Sequence, residues 1–441
     1  MDKAKLIKRI TRVEQQTKHF KQKSTLDTLS YSEDIIGRER KTEELVNYLL
    51  GFKQGLVVPL ISVYGRSGSG KSTITRFVCH NMDEISYCFV NLRKAKTVFG
   101  VANLILSELG RSSLKNSQGT NLATYRIEKA IVTKLEQEKK KFFVMILDEF
   151  DMLFSDKRGR PSDFIYKLLA IEEFLKTKGF MMTIICISNN VLSSYELDDR
   201  VKSRIGSSEI FFEPYSHDDV VEILQSRARK AISAKVSISV LRYCAEISSL
   251  GHGDARRAID LLRVAAEIAS QKHQPISNSH IDLASDELQK DRVKKILESG
   301  SYHFKSVCLS LARVTYLTGR DWHATSSIFK QFSLILSKDE RALTHRRVSD
   351  LLVELENTGL VISETRSRGR QGYGTSYKLT VMPELVGDII GEEWWKSIVE
   401  LKKKHEEYLQ SPAYTHPDRD DPKEYWEKGE HDKKWAQYVG L

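Results

Sequence analysis

Short apolar runs alternate with longer amphipathic stretches between residues 35 and 215. The apolar runs have the length of buried strands, and they lie at Leu56–Val63, Tyr87–Leu92, Phe142–Leu147, Met181–Ile187 and Glu209–Phe212. The stretches between them carry apolar residues three and four positions apart, as one face of a helix does, and they lie at Val101–Leu109, Leu122–Leu135 and Phe164–Leu175. This alternation predicts an α/β domain in which helices cover both faces of a mostly parallel sheet.

The pattern changes after residue 215. Residues 216–298 lack strand-like runs and contain helical stretches such as Val220–Ala231 and Ala255–Ala269, which together predict a small helical domain.

At the two ends, residues 1–34 form a basic segment, and residues 386–441 form an extension whose role the sequence does not indicate. We expect the last ~40 residues to be loosely ordered, because they contain a cluster of Pro and Asp and little periodicity.

Residues 299–385 predict a winged-helix domain. Two helices, Phe304–Leu317 and Ala324–Leu336, precede Thr344, which is a favourable helix N-cap. The next helix has apolar residues at i, i+3, i+4 and i+7, so this stripe belongs to the core. The stripe consists of Val348, Leu351, Leu352 and Leu355. The strands of the predicted wing are Leu360–Glu364 and Tyr377–Val381.

The composition is that of an ordinary globular protein, with 40% hydrophobic and 29% charged residues in 441. Intrinsic disorder is therefore excluded, and the length suits about three domains. No apolar run approaches the ~18 residues of a membrane-spanning helix, and the N-terminus lacks the apolar stretch of a secretory signal. We expect a cytoplasmic protein. Its five cysteines are widely spaced and form no C-x-x-C pair, which favours reduced core thiols over disulfides or a metal site.

The formal net charge of +10 is concentrated in two segments. Residues 1–26 hold eight basic and two acidic side chains, and residues 299–381 hold twelve and seven, so the rest of the chain is nearly neutral. Such basic segments are expected where a protein faces a polyanion, and nucleic acid is the obvious candidate. For residues 1–26, a solvated and frayed terminus explains the charge equally well.

A glycine-rich loop follows the first predicted strand and opens a helix. It fits the P-loop pattern G-x-x-x-x-G-K-[ST] in the structural context that this pattern requires. In a P-loop, backbone N–H groups surround phosphate oxygens, while Lys71 contacts the β and γ phosphates and Ser72 ligates Mg²⁺. The predicted contacts with ATP or ADP are Gly65, Arg66, Ser67, Gly68, Ser69, Gly70, Lys71, Ser72 and Thr73.

A second apolar strand ends in two carboxylates about 75 residues further on. Phe142–Leu147 is followed by Asp148 and Glu149, at the edge of the sheet where α/β proteins bind ligands. Phosphoryl transfer requires one carboxylate for the metal and one for the attacking water. We assign Asp148 to Mg²⁺ and Glu149 to the water, as in a Walker B element.

Three further polar residues complete the predicted catalytic set. Asn189 follows the strand Met181–Ile187 and is able to reach the same water. Arg200 lies in a short helical segment, where it meets either the γ-phosphate of a neighbouring subunit as an arginine finger or a nearby aspartate. Arg256 lies in the first turn of a helix, where a cation is disfavoured by the helix dipole unless an anion is close. This favours a phosphate as its partner.

The winged-helix segment carries the candidate DNA contacts. Arg346 and Arg347 lie in the first turn of the helix that follows Thr344, whereas Asp350 and Glu354 further along would oppose DNA. The wing loop has three arginines and three glycines and no acid, so it suits a phosphate backbone or a minor groove. Its arginines are Arg366, Arg368 and Arg370. A solvated basic hairpin is the alternative.

These motifs resemble the AAA+ replication initiators of archaea and eukaryotes, the family of origin recognition complex subunit one and cell division control protein six. The resemblance covers about residues 35 to 381 and is closest to the compact archaeal members. It rests on Ile36-Gly37-Arg38-Glu39, the P-loop, Leu147-Asp148-Glu149-Phe150-Asp151, Ile187-Ser188-Asn189, Asp199-Arg200-Val201-Lys202-Ser203 and Gly253-Asp254-Ala255-Arg256.

The resemblance implies an AAA+ ATPase domain, a helical lid and a winged helix. It also implies that Ile35, Ile36 and Arg38 line the adenine pocket, and that Asn189, Arg200 and Arg256 are sensor one, the arginine finger and sensor two. Family members bind double-stranded origin DNA through the winged helix and the ATPase domain. The implied partners are a replicative helicase and paralogous initiator subunits, and slow ATP hydrolysis is the implied switch.

Three other functions remain possible from the sequence. A signalling or transcription-regulating P-loop ATPase with a winged-helix effector shares Lys71 and Asp148 but lacks the Gly-Asp-Ala-Arg opening of the lid helix. A DNA-binding module with a degenerate nucleotide site would show no Mg²⁺-dependent turnover. A clamp-loader ATPase would normally lack the winged helix.

Residues 97–102 fall where family members insert a DNA-gripping segment, but a helix that covers the sheet is an equally good prediction for them.

Overall fold

A computed structural model describes most of the chain between residues 19 and 409. The described ranges are 19–27, 35–205, 208–249, 254–335, 343–367 and 373–409. Several predictions fall outside them: most of the basic segment 1–34, Gly253, Arg368, Arg370, and the extension from residue 410 onward. The chain divides into two compact units between Ser285 and Asp286.

The first unit is built on a five-stranded sheet whose paired strands are all parallel. Its strands, in the spatial order β2-β3-β4-β1-β5, are β1 (Leu60–Gly65), β2 (Ile85–Asn91), β3 (Phe142–Asp148), β4 (Met181–Ser188) and β5 (Glu209–Phe212). Every residue of the interior strand β3 is buried, as expected for a strand covered on both faces. The predicted parallel sheet is confirmed.

Helices cover both faces of this sheet. They are α1 (Glu39–Leu50), α2 (Lys71–His80), α3 (Val98–Glu108), α4 (Gly119–Glu138), α5 (Pro161–Thr177) and α6 (Asp199–Ile205). One core lies between the sheet and α3, α4 and α5, and it contains Met145 of β3. A second core lies between the sheet and α1 and α2, and it contains Val144 and Ile146. Successive residues of β3 thus face opposite helical layers, because side chains alternate along a strand.

The structure corrects one strand boundary in this unit and decides between two alternatives for residues 97–102. The first strand begins at Leu60 rather than Leu56, because Pro59 has no N–H for the sheet and Leu56 is exposed. Residues 97–102 form the start of α3, with Thr97 as the N-cap and Val98 buried in the core. This segment is therefore a helix that covers the sheet, which is one of the two predicted alternatives.

The predicted helical domain contains α7 (His217–Ala231), α8 (Ile238–Ser249), α9 (Ala255–Gln271) and the first part of α10 (Asn278–Ser299). The boundary between the two units falls inside α10. A described piece of the N-terminal segment packs on this domain: Leu26 is buried, and Arg227 of α7 donates to the carbonyl oxygen of Thr25 at 2.6 Å. Lys23 also pairs with Glu267 at 3.0 Å. This part of the basic segment is thus folded against the chain.

The second unit contains the predicted winged helix. Its elements are α11 (Tyr302–Thr318), β6 (His323–Ala324), α12 (Thr325–Ile335), α13 (His345–Asn357), β7 (Val361–Ser367), β8 (Tyr373–Leu379), α14 (Pro383–Ile390) and α15 (Glu392–Leu409). The strands form an antiparallel sheet in the order β6-β8-β7. Thr344 caps α13 by accepting a hydrogen bond from the Arg347 N–H. The predicted apolar stripe of α13, including Val348 and Leu355, is buried.

Part of the C-terminal extension belongs to the core of this unit. Trp395 and Ile398 of α15 are buried in the same cluster as residues of α11. The Trp395 ring lies 5.1 Å from the Tyr316 ring, and the Lys402 ammonium donates to the Tyr316 carbonyl oxygen at 2.8 Å. Residues 392–409 are therefore a packed helix rather than the start of a loose tail.

All five cysteines are free and buried, as the sequence predicts for core thiols. Burial raises the pKa of Cys79, Cys88, Cys244 and Cys308 to about 12, so these thiols stay protonated and unreactive near neutral pH. Within the described ranges, no helix has both the length and the apolar character needed to cross a membrane.

Candidate functional site

The P-loop connects β1 to α2 and is shaped by glycines. Gly68 has φ +76° and Gly70 has φ +94°, a backbone conformation that L side chains rarely adopt. A Cβ at Gly68 would collide with the Asp254 carboxylate, and one at Gly70 would collide with the Tyr215 hydroxyl. The loop therefore curls closely beneath neighbouring segments, and glycine is the residue that fits at both positions.

The Lys71 ammonium lies inside this loop. It donates hydrogen bonds to the carbonyl oxygens of Gly65 at 2.6 Å and Arg66 at 2.8 Å, and it lies 3.4 Å from Oδ1 of Asn189. Burial, followed by the positive charge of Arg256, lowers the pKa of Lys71 to about 8. An anion bound in the loop would relieve both effects, because it would offset the desolvation and the repulsion.

The candidate metal ligands lie next to each other. Ser72 Oγ donates to Asp148 Oδ1 at 2.9 Å, which joins the first turn of α2 to the end of β3. The Asn91 amide lies 3.5 Å from the other carboxylate oxygen of Asp148. Burial raises the pKa of Asp148, against the hydrogen bond from Ser72, which lowers it. A hydroxyl beside a carboxylate at a phosphate loop is an oxygen ligand set that suits Mg²⁺, so the residues present fit the predicted metal.

Glu149 adopts an unusual backbone conformation directly after β3. Its φ of +56° lies in the left-handed region, which a residue with a Cβ rarely occupies. Its N–H donates to Asp148 Oδ1 at 3.0 Å, which fixes the turn between the two carboxylates. Strained residues of this kind are concentrated at functional sites, where the surrounding structure holds them in place.

Asn189 and Arg256 approach the P-loop from different elements. Asn189 follows β4, the strand beside β1, and its side chain is exposed next to Lys71. Arg256 lies in the first turn of α9, where Asp254 is the N-cap and accepts a hydrogen bond from the Arg256 N–H at 2.9 Å. The charge of Arg256 acts on both Lys71 and Asp148. The structure thus brings both predicted residues to the nucleotide loop.

Arg200 is paired within its own subunit. Its guanidinium donates to Asp198 at 2.6 and 2.9 Å and to Asp163 at 3.2 Å, and it lies 4.9 Å from the Tyr166 ring centroid. The neighbouring Asp199 instead pairs with Lys202. Arg200 is exposed on α6, so the structure shows it held by carboxylates at the surface.

The predicted adenine-pocket residues lie just before α1. Ile35 is partly buried and packs against the core that contains α1 and α2. Ile36 is half-buried, whereas the Arg38 side chain is buried and hydrogen-bonded to backbone carbonyl groups. Among the other predicted contacts, Arg66, Ser67 and Thr73 are exposed. Their roles toward a nucleotide stay predictions.

The predicted DNA contacts belong to the second unit. Arg346 and Arg347 are exposed in the first turn of α13, and Arg347 lies 3.9 Å from Asp350. Arg366 is in β7, opposite Gly374 in β8, at the base of the wing. Arg313 is one of the twelve basic residues counted in residues 299–381. It is buried in α11, so it is not available for contact with DNA.

Three residues at the nucleotide loop were missed from the sequence. Asn91 lies beside Asp148, Asp254 lies against Gly68, and Tyr215 lies against Gly70. Asn91 ends a strand at the same edge of the sheet as Asn189, so the rule that predicted Asn189 was sufficient to find it. Asp254 precedes the lid helix as an N-cap, but its contact with Gly68 depends on the tertiary fold.

Comparison with known proteins agrees with this architecture. Residues 59–191 match the AAA domain model, residues 221–286 match the Cdc6 AAA+ ATPase-type lid domain, and residues 296–388 match the CDC6 C-terminal winged helix domain. Each of these domains was predicted from the sequence.

Relatives and solved structures extend the similarity over most of the chain. ORC1-type DNA replication protein 1 of Sulfurisphaera tokodaii is 32% identical over 375 residues, which is 82% of this chain and 90% of that protein. The protein of the same name from Sulfolobus acidocaldarius is 31% identical over 79% of this chain and 87% of its own length. The Aeropyrum pernix ORC1 protein, solved in complex with DNA, has a TM-score of 0.70 at 27% identity, over 87% of this chain and 99% of that one.

The fold also matches a more distant structure, that of Cdc6p from Pyrobaculum aerophilum, with a TM-score of 0.51 at 19% identity over 85% of this chain and 99% of that one. The predicted family and its AAA ATPase domain are confirmed by the domain models and by the relatives above 30% identity. By its domains and by its identity to relatives along nearly their whole length, the chain belongs to the family of ORC1-type DNA replication proteins.

Proposed function

We propose that the chain is an ATP-dependent DNA replication initiator that binds origin DNA and helps to recruit or load the replicative helicase. ATP binding and slow hydrolysis act as its switch. One observation carries the proposal: Lys71, Ser72, Asp148 and Asn189 meet at one edge of the sheet, and Arg256 of the helical domain acts on the same point. This arrangement has the parts needed to bind a nucleoside triphosphate and to sense it from a second domain.

The residues of the loop suit an ATP–Mg²⁺ complex. Lys71 would exchange its bonds to loop carbonyls for the β and γ phosphates, while Ser72 and Asp148 would hold Mg²⁺. The metal, when bound, neutralises charge that develops on the phosphates. Glu149 would orient the attacking water together with Asn189, and Ile35 and Ile36 would contact the base.

Two arginines would make the switch sensitive to conformation. Arg256 lies on α9, so its contact with the γ-phosphate would tie the helical domain to the triphosphate state. Arg200 would leave its aspartate partners and reach the phosphate of a neighbouring, paralogous subunit as an arginine finger. Hydrolysis would then depend on assembly.

The winged helix would supply the main DNA contact. Arg346 and Arg347 at the start of α13 would meet phosphates or base edges, and Arg366, Arg368 and Arg370 of the wing would follow the backbone or enter the minor groove. The similar Aeropyrum pernix ORC1 protein was solved with DNA, which supports this use of the domain. Such a protein works on the chromosome, so we propose that it is associated with the nucleoid.

Binding of fluorescent duplex DNA tests the proposal, with ATP, with ADP and without nucleotide. We expect DNA affinity to depend on which nucleotide is bound, and Lys71→Ala to lose this dependence. Lys53→Ala removes an exposed lysine of the same unit and should behave as wild type. Addition of the replicative helicase should give a ternary complex in the ATP state. DNA binding that ignores nucleotide in the wild-type chain would contradict the switch.

A further inference from the structure

Arg38 holds three backbone segments together beneath the nucleotide loop. Its side chain is only 6% exposed, and each of its guanidinium nitrogens donates to a carbonyl oxygen. Nε bonds to Ser69 at 3.0 Å, Nη2 to Glu213 at 2.5 Å and Nη1 to Gly37 at 3.0 Å. The guanidinium carbon also lies 3.9 Å from the centroid of the Tyr215 ring. One side chain thus spans the segment before α1, the P-loop and the connection from β5 to α7.

These segments are packed closely against one another. Gly37 has φ +66°, and a Cβ there would lie 2.5 Å from the carboxylate of Asp219 in the first turn of α7. A Cβ at Gly70 would collide with the Tyr215 hydroxyl. The connection around Tyr215 leads directly into the helical domain, because α7 begins two residues later at His217, and we call residues 213–216 the hinge of this domain. Arg38 therefore lies between the phosphate loop and this hinge.

The chemistry of arginine suits this position. A guanidinium is planar, stays charged and offers five donors in fixed directions, so it is able to fix several carbonyl groups in one plane. The Ser69 carbonyl belongs to the part of the loop whose N–H groups would face phosphate, and its direction sets the direction of the next N–H. Loss of the guanidinium would leave buried carbonyl oxygens without donors, which is costly.

We infer that Arg38 is a positioning residue that transmits nucleotide occupancy of the P-loop to the hinge of the helical domain. The inference rests on the proposed nucleotide function and adds a regulatory residue to the same site. Arg38 acts through Ser69, Glu213 and Tyr215, and its donors are engaged with the backbone rather than directed at a base. Asp254, which touches Gly68, connects the helical domain to the loop at a second point.

The test compares Arg38→Met and Arg38→Lys with a matched control in the full-length chain. Arg227→Met is the control, because Arg227 is also buried, at 9% exposure, and also donates to backbone carbonyls, those of Thr25 and Asp27, away from the loop. Dissociation of fluorescent ATP is followed after mixing with excess ATP. We expect both Arg38 variants to release it about tenfold faster, the effect of losing one hydrogen bond to a charged group, while the control is unchanged.

Hydrogen exchange separates transmission from simple stabilisation. In the wild-type chain, ATP should slow amide exchange both in the P-loop, residues 66–72, and in the hinge, residues 213–216. In Arg38→Met, ATP at a saturating concentration should still protect the loop but no longer protect the hinge. Arg227→Met should keep both effects. A purely structural arginine would lower protection in both segments equally, with or without ATP.

Three outcomes would overturn the inference. An Arg38→Met chain with wild-type ATP release and wild-type hinge protection would show that no signal passes through Arg38. Full rescue by Arg38→Lys would show that charge alone suffices, without the planar donors. If the wild-type chain binds no ATP, the proposed function fails and this inference fails with it. Should Arg38→Met not fold, Tyr215→Leu, which removes the ring beneath the guanidinium, must still lose hinge protection.

Discussion

The hydroxyl of Ser72 donates a 2.9 Å hydrogen bond to Oδ1 of Asp148, so the P-loop and the end of strand β3 meet at one polar pair. The two oxygen ligands that we propose for Mg²⁺ are thereby already adjacent. Burial raises the pKa of this aspartate, so it takes up a proton at a higher pH than an exposed aspartate does.

We expect Ser72→Ala to weaken ATP binding in the presence of Mg²⁺ and to have little effect with EDTA. In the wild-type chain, the gain in affinity from Mg²⁺ should disappear as the pH falls toward the raised pKa of Asp148, since a protonated carboxyl does not hold the metal. Calorimetric titration with ATP measures both effects. Thr133→Ala, which removes an exposed hydroxyl bonded within α4, is the control. Equal losses with and without Mg²⁺ would remove Ser72 from the metal site.

The lowered pKa of Lys71 predicts an unusual pH dependence of ATP binding. The ATP-free chain loses the Lys71 proton above about pH 8, and phosphates require the charged form, so binding then takes up a proton. Affinity should fall by up to about tenfold per pH unit above that pH. Lys71→Arg should bind more weakly but show no such fall up to about pH 9.5, because a guanidinium stays protonated there. If the ATP affinity of the two chains falls with pH in the same way, the fall is not caused by titration of Lys71.

Much of the candidate nucleotide site was predictable from the sequence, because its determinants are local. The P-loop glycines, Lys71 and Ser72 lie within eight consecutive residues, and Asp148 directly ends an apolar strand. By contrast, the partners of Arg38 are 31 and 175 residues away, at Ser69 and Glu213, so no spacing rule predicts them. Geometry that depends on distant segments is beyond a single sequence.

The misses in the second unit have equally physical causes. The strand β6 has only two residues, His323 and Ala324, which is too short to produce an alternating pattern. The helix α15 was missed because a cluster of Pro and Asp follows it, although seven of its 18 residues are apolar. Its stability comes from packing of Trp395 against α11, which propensity alone does not reveal.

The pairing of Arg200 with Asp198 and Asp163 gives a prediction about assembly. Its hydrogen bonds hold the pKa of Asp198 down at about 2, so the pair is intact at all working pH values. We expect Arg200→Ala to leave the ATP affinity of the isolated subunit unchanged and to lose the turnover that a partner subunit or origin DNA stimulates. Lys202→Ala, which removes another exposed cation of α6, should keep stimulation. If Arg200→Ala lowers the ATP turnover of the isolated subunit by the same factor as the stimulated turnover, Arg200 acts on the nucleotide of its own subunit.

The wing should provide most of the electrostatic DNA affinity of the second unit. Replacing Arg366, Arg368 and Arg370 by Ala should flatten the slope of log affinity against log salt by up to roughly 3, since each phosphate contact contributes about −0.9. The matched control removes three exposed lysines of α10, Lys290, Lys294 and Lys295, and so changes the net charge equally. Duplex binding at several salt concentrations measures both slopes. An unaltered slope in the wing variant would show that the DNA phosphates are contacted by Arg346 and Arg347 or by the N-terminal segment instead.

The most direct test of the account is the position of the chain on its own chromosome. Occupancy is mapped by chromatin immunoprecipitation for wild type, Lys71→Ala and Glu149→Gln, beside a replication profile of the same cells. Glu149→Gln should bind ATP but cleave it at least about a hundredfold more slowly, because it keeps the loop and loses the carboxylate that we propose to orient water. We predict sharp wild-type peaks where replication begins, weakened by Lys71→Ala and prolonged through the cell cycle by Glu149→Gln. Peaks at sites unrelated to replication starts, or a pattern that neither variant changes, would contradict an ATP-switched initiator.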